Sequence, residues 1–305
     1  MKKLLMLSIF AATLVLSACS TYQEVSSNKE ENKRTITVEQ AGELEIPYDV
    51  ERALLFRATD PLNAHLLGVK PAGVNEILKE NKYIEENLKD VAFITPGDLD
   101  HIKTLDPDLI ITYAPDDYSS EYVDIAPTIE MIYNSSFLSP YKKRVYLTHL
   151  YHLGVMLNKE QEAKDIIDGW MTTMTELKRG LPFNASEYDA VVLTEIEGGY
   201  QVVPKFGSFG TEAIYDVLGF NLNKEAKRLM ENNATTVESL DQLKDFEADY
   251  VFISSNEDPK TIKTKVKNEA GMDESRIVIM NLDDFRTNDL ISVEGQTKEI
   301  IDALK

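Results

Sequence analysis

The sequence predicts an α/β protein of two similar lobes joined by a helical connection, and three observations predict it. Short, continuous apolar runs alternate with helical patterns on both sides of the chain's middle, which suits strands buried on both faces in parallel α/β units. From about Pro140 to Arg179 there is instead a helical texture with no strand pattern and no cluster of breakers. Finally, one segment of the first half is echoed in the second. Leu99, Asp100, Ile102, Lys103, Leu105 and Asp108 are matched by Leu240, Asp241, Leu243, Lys244, Phe246 and Asp249, each copy running into an apolar strand. Two related lobes and a brace imply a cleft between them.

The elements follow in order. Met1-Lys2-Lys3 precedes an uncharged run from Leu4 to Leu16, which fits a signal peptide and is too short to cross about 30 Å of hydrocarbon as a helix. Leu16-Ser17-Ala18-Cys19 closes that segment, residues 1–19. Residues 20–35 carry almost nothing apolar and read as a flexible tether. The N-terminal lobe is expected over 36–139, with strands at Ala53–Phe56, Leu109–Tyr113 and Ile129–Tyr133. A helix from Pro61 to Leu67 ends at Gly68, which tolerates the positive φ that follows a helix. The linking helical region spans 140–180. Tyr146, Leu150, Leu153 and Leu157 form one helical stripe, Asn158-Lys159 interrupts it, and a second helix runs from Glu160 to Lys178. The C-terminal lobe, 181–305, carries strands at Val191–Leu193, Tyr250–Ile253 and Ile277–Met280.

Composition narrows the function. With 305 residues, 43% hydrophobic and 28% charged, the chain is globular and long enough for two domains. Lys+Arg total 32 against Asp+Glu 52, a net charge of −20, which argues against a nucleic-acid partner. One cysteine excludes internal disulfides and CxxC chemistry, and four histidines leave little room for a histidine cage. No Gly-x-Ser-x-Gly elbow, His-Glu-x-x-His or phosphate loop is present. Asp116-Asp117 and Asp283-Asp284 read as solvated turn acids, so nothing argues for an enzyme.

Leu16-Ser17-Ala18-Cys19 resembles the lipobox of bacterial lipoproteins, which implies a lipidated Cys19 and a body held on the extracellular face of the cell membrane. Leu67 to Val74 (LGVKPAGV), Leu105 to Ile111 (LDPDLII), Ile125 to Ile129 (IAPTI) and Leu218-Gly219-Phe220 follow in a specific order. With these marks the chain resembles the ABC-transporter substrate-binding proteins that serve iron–siderophores, haem and cobalamin, over nearly everything after the tether. The resemblance implies two Rossmann-like lobes connected by a single long helix. It also implies capture of a ferric siderophore, of hydroxamate or citrate type, and delivery to an ABC permease by a monomer with no permanently bound cofactor and no enzymatic activity. Permease-docking acids map to Asp100 and Asp241, where the family usually has Glu; Glu212 and Asp216 compete for the C-lobe role.

Ligands of open α/β sheets sit beyond the carboxyl ends of the strands, so the segments after each strand supply the ligand-binding candidates: Arg57, Tyr113, Tyr200, Lys205, Phe206, Phe285 and Arg286. An anionic chelate such as ferric citrate needs a cluster like Arg57, Lys205 and Arg286. A neutral or cationic hydroxamate needs aromatic walls such as Tyr113, Tyr200, Phe206 and Phe285. Both remain open at this level, and the Trp/Arg signature of some hydroxamate binders is missing before Glu212. Haem or a divalent metal is the alternative ligand, although His65, His149 and His152 read better as packing residues, and an anchored extracellular hydrolase is a more distant alternative.

Overall fold

A computed structural model of the chain describes residues 23–38, 42–132, 139–141 and 143–305. Cys19 and the signal segment lie outside the described residues.

The chain begins with a correction. Much of residues 20–35, expected as a tether, is strand: β1 (Gln23–Asn28) and the start of β2 (Lys33–Val38) form, with β3 (Gly42–Pro47) from the expected lobe, an antiparallel sheet in that order. Its polar composition hid it, because an antiparallel sheet needs apolar residues on one face only. Ile36, Val38 and Ile46 supply that face and join the main core. Arg34 is 3% exposed. Its guanidinium donates to the carbonyl oxygen of Val155 at 2.7 Å and also to that of Met156, closing off the end of a helix in the linking region.

The N-lobe then alternates strand and helix: β4 (Ala53–Leu55), α1 (Asp60–Leu66), β5 (Gly73–Asn75), α2 (Lys82–Asn87), β6 (Ala92–Ile94), α3 (Leu99–Thr104), β7 (Leu109–Ala114), α4 (Ser119–Tyr122) and β8 (Thr128–Ile132). The sheet order is β6-β5-β4-β7-β8 and every pairing is parallel. Ala53, Leu54 and Leu55 are wholly buried, as a strand covered on both faces requires.

The linking region holds two helices, α5 (Val145–Met156) and the longer α6 (Glu160–Lys178, 19 residues). The break falls at Asn158, which takes the left-handed conformation at φ 58. Gly154 permits it: a Cβ there would lie 2.6 Å from Ala163 Cβ.

In the C-lobe come β9 (Asp189–Ile196), β10 (Gly199–Val202), a π-helical segment Glu212–Leu218, β11 (Asn221–Leu222), α7 (Lys224–Glu231), β12 (Thr236–Val237), a 3-10 segment Leu240–Phe246, β13 (Tyr250–Ser254), α8 (Pro259–Ala270), β14 (Ile277–Met280), α9 (Leu282–Phe285) and α10 (Leu290–Ala303). The order is β12-β10-β9-β13-β14, with β11 also on β9; β9, β13 and β14 are parallel, whereas β10 is antiparallel to β9.

The echo seen in the sequence has a structural basis. Asp108 accepts backbone N–H groups from Glu51 and Arg52 at 2.7 and 3.0 Å, just before β4. Asp249 accepts the Asp189 N–H at 2.9 Å, at the start of β9. In each lobe the repeated aspartate fastens the neighbouring strand. The lobes also hold each other directly. Asn81 Nδ2 donates to Asp283 O at 2.7 Å, and Lys82 Nζ lies 2.6 Å from Glu299. Gly295 within α10 is a close approach: a Cβ there would lie 2.3 Å from the Tyr83 ring of the other lobe.

Candidate functional site

A cleft of about 830 Å³ is lined by Pro140, Tyr141, Lys143 and Arg144, just ahead of α5, and by Lys205, Phe206 and Asp216 of the C-lobe. That volume is within the range of small-molecule sites, about 300–1,000 Å³. Two stretches build it. Pro140, Tyr141, Lys143 and Arg144 precede α5, and Lys205-Phe206 follows β10. Because β10 runs antiparallel to β9, the chain after it is carried back along β9, where Val203 N–H donates to Val192 O at 2.9 Å. Phe206, Ser208 and Phe209 then adopt φ of 64°, 65° and 52°. Such a run of left-handed non-glycine residues is costly and is typical of loops shaped to hold something.

The chemistry of the cleft is cationic and aromatic. Among the described lining residues, Lys143, Arg144 and Lys205 face a single carboxylate, Asp216, in a chain whose net charge is −20. Lys205 Nζ lies 5.3 Å from the Phe206 ring centroid. Phe206 stacks at 6.3 Å on Tyr146, which meets Trp170 edge-on at 5.6 Å. Asp216 Oδ2 is shared: Arg144 Nε lies 2.8 Å away and the Tyr146 hydroxyl donates to it at 2.6 Å. Burial, reinforced by Asp216, pushes the Tyr146 phenol far up, so it remains a donor. A smaller pocket of about 340 Å³ shares Arg144 and Asp216 and is backed by Tyr146, Trp170, Met171 and Met174.

Among the ligand candidates named from the sequence, only Lys205 and Phe206 line this cleft. Arg57 is 3% exposed, and its Nε donates to both Asp60 carboxylate oxygens at 3.0 Å. Phe285 is a core residue at 1% exposure, and Tyr200 packs into the C-lobe core. Arg286 pairs with Asp283 at 3.3 Å. Tyr113 is exposed at the end of β7, outside the lining. The C-lobe side of this cleft follows the antiparallel β10 and the other side comes from residues just ahead of α5, so neither lies directly after a parallel strand. Tyr141, Lys143 and Arg144 were missed as the start of a brace. Their signal was the aromatic-flanked basic run Tyr141 to Arg144 in a strongly acidic chain.

The docking acids separate as well. Asp100 is exposed on α3. Asp241, on the 3-10 segment, is held below the usual carboxylate range chiefly by the Ser239 hydroxyl. Glu212 is fully buried, accepts from Asn288 Nδ2 at 2.7 Å, and is pushed up by burial. A carboxyl without solvent exposure cannot meet a permease surface, so that assignment is corrected. Asp216 is likewise in the cleft rather than on an outer end.

Two α/β lobes, a helical connection and a charged cleft beside it define a substrate-binding protein of the two-lobed kind. The chain belongs to the periplasmic binding protein family, whose model matches residues 63–276; this is a family of binding proteins rather than of enzymes. The chain is similar to the Fe(3+)-citrate-binding protein YfmC of Bacillus subtilis, 27% identical over 258 residues that cover 82% of this chain and 78% of that protein. It is similar also to the iron-uptake system-binding protein of the same organism, 25% identical over 285 residues, covering 88% and 86%. Among solved structures, FhuD2 of Staphylococcus aureus with bound ferrioxamine B shares the fold at a TM-score of 0.71 and 22% identity, over 83% of this chain and 98% of that one.

Proposed function

We propose that this chain is the substrate-binding component of an ABC importer and that its cleft takes a ferric siderophore as an anionic, citrate-type chelate. The observation that carries this reading is the convergence of Lys143, Arg144 and Lys205 with Tyr141 and Phe206 on one cleft of an otherwise acidic chain. Each cation about 6 Å from a ligand charge contributes about 2–3 kcal/mol at an effective dielectric near 20, and the aromatic rings contact the apolar parts of the chelate. The similarity to a ferric-citrate-binding relative supports the same ligand class. The cargo is bound and released unchanged. Titration of the body against ferric citrate, ferric hydroxamates, ferric catecholates, haem and bare divalent metals tests it. At 100 times its dissociation constant the anionic ferric chelate should stabilise by about 2.7 kcal/mol, a rise of about 5 °C in Tm. Stabilisation by haem or a bare metal alone would overturn the reading.

The lobes dock through Asp100 and Asp241, which stand at matching places in the echoed segments. Lipidation at Cys19 holds the body at the membrane; no described helix is long and apolar enough to cross one. Replacing Asp100 and Asp241 together should abolish uptake of the chelate by cells with ligand affinity unchanged. Weakened binding by the double variant would place those acids at the ligand instead.

A further inference from the structure

We propose that Asp216 sets the charge preference of the cleft by competing with the ligand for Arg144. The inference rests on reading this cleft as the chelate site. Among the described residues, Lys143 and Lys205 have no carboxylate partner within ion-pairing distance, so their charge is available to any ligand that enters. Arg144 differs. Its Nε is already 2.8 Å from Asp216, and among the described residues its Nη1 meets the weak acceptor Met171 Sδ, at 3.3 Å. The guanidinium is 41% exposed and the carboxylate 15%, so the ion pair forms part of the cleft wall with the cation on the more open side.

The second partner of Asp216 makes exchange feasible. Tyr146 donates to the same Oδ2 at 2.6 Å and is itself immobilised between Phe206 and Trp170. When a ligand carboxylate takes the guanidinium, Asp216 keeps the Tyr146 hydrogen bond and is not left as a buried unpartnered acid, the costly outcome. A neutral or cationic chelate offers Arg144 no better anion than the one it has. The pair then stays closed, and the Asp216 charge remains compensated. The charge of Arg144 therefore counts only toward anionic ligands, and Asp216 sets the threshold.

The exchange also reports on itself. Arg144 and Asp216 line the smaller pocket, whose wall includes Trp170, the sole tryptophan of the sequence. Parting of the pair changes the surroundings of that indole, so intrinsic fluorescence reads the event directly. Gallium(III) chelates are suitable probes because they do not quench as iron does: gallium citrate as the anion and gallium ferrichrome as the neutral ligand.

The test compares wild type with Asp216→Asn, Asp216→Glu and Tyr146→Phe by calorimetry and by Trp170 emission. Asp216→Asn keeps an acceptor for Tyr146 and removes the competitor. It should tighten gallium citrate about tenfold and leave gallium ferrichrome within about twofold. Asp216→Glu should restore the wild-type ratio. Tyr146→Phe leaves Asp216 dependent on Arg144 alone and should weaken gallium citrate. In wild type, emission should change with the citrate complex only. Equal changes for both chelates, or none, would overturn the role of Asp216 while leaving the cleft assignment standing. Failure of wild type to bind any ferric or gallium chelate would overturn both.

Discussion

The cleft and the protein interior carry the same kinds of charged side chain in opposite settings. Inside, Arg57 and Asp60 are 3% and 0% exposed and bind each other through two 3.0 Å contacts, while Glu212 and Asp289 are fully buried on side-chain partners of their own. In the cleft, Lys143 and Lys205 stand in solvent without a carboxylate partner among the described residues, and Arg144 and Asp216 form an ion pair. A charge that is buried against a partner from its own chain holds structure; a charge left facing an opening is available to a ligand. Residue type does not distinguish the two. Burial and prior commitment do.

The sharpest way to break that contrast is to remove one partner on each side. Asp60→Asn leaves the Arg57 guanidinium buried beside a weaker partner, with its Nη1 already lacking one, and should cost about 3–5 kcal/mol of stability. Replacing both residues by apolar ones of similar size should recover most of that loss. The same operation in the cleft, Lys205→Gln, should move stability by less than about 0.5 kcal/mol while weakening an anionic chelate. Urea denaturation of the variants decides it. An Asp60→Asn protein as stable as wild type would mean that Arg57 finds another partner and is free to serve the cleft.

Much of the architecture was legible in the sequence because buried parallel strands leave an unmistakable trace. Ala53–Leu55, Leu109–Ala114 and Tyr250–Ser254 are apolar at nearly every position since both faces are covered. The helix break at Asn158-Lys159 was equally visible, because the apolar run of α5, buried on every face, ends there. The antiparallel β1–β3 sheet was not: residues 23–35 are polar and read as tether, and the apolar face at Ile36, Val38 and Ile46 begins only beyond them. The cleft was half legible. Lys205 and Phe206 were found from their loop, but Tyr141, Lys143 and Arg144 were absorbed into the helical brace that they precede. Arg57 and Phe285 were misplaced for a common physical reason: sequence shows where a strand ends but not whether the next side chain turns outward or folds back into the core. Only three-dimensional burial settles that point.

Asp289 sharpens the comparison through pH. It is fully buried at the start of α10, accepts the Ser292 N–H at 2.9 Å and the Ser292 hydroxyl at 2.7 Å, and burial pushes its carboxyl up to about 6 despite those bonds. The folded chain therefore holds this proton more tightly than the unfolded chain, where an aspartate titrates near 4. Stability from this group is present below pH 4 and is lost as pH rises toward 6, which amounts to about 3 kcal/mol. An amide in place of this carboxyl would still accept the Ser292 N–H but cannot ionise. Asp289→Asn should thus match wild type near pH 4 and exceed it by up to about 3 kcal/mol at pH 7.5, with other titrations common to both chains. Parallel stability profiles for the two proteins between pH 4 and 7.5 would show that Asp289 ionises inside the fold without penalty, and that burial alone does not separate the interior charges from those of the cleft.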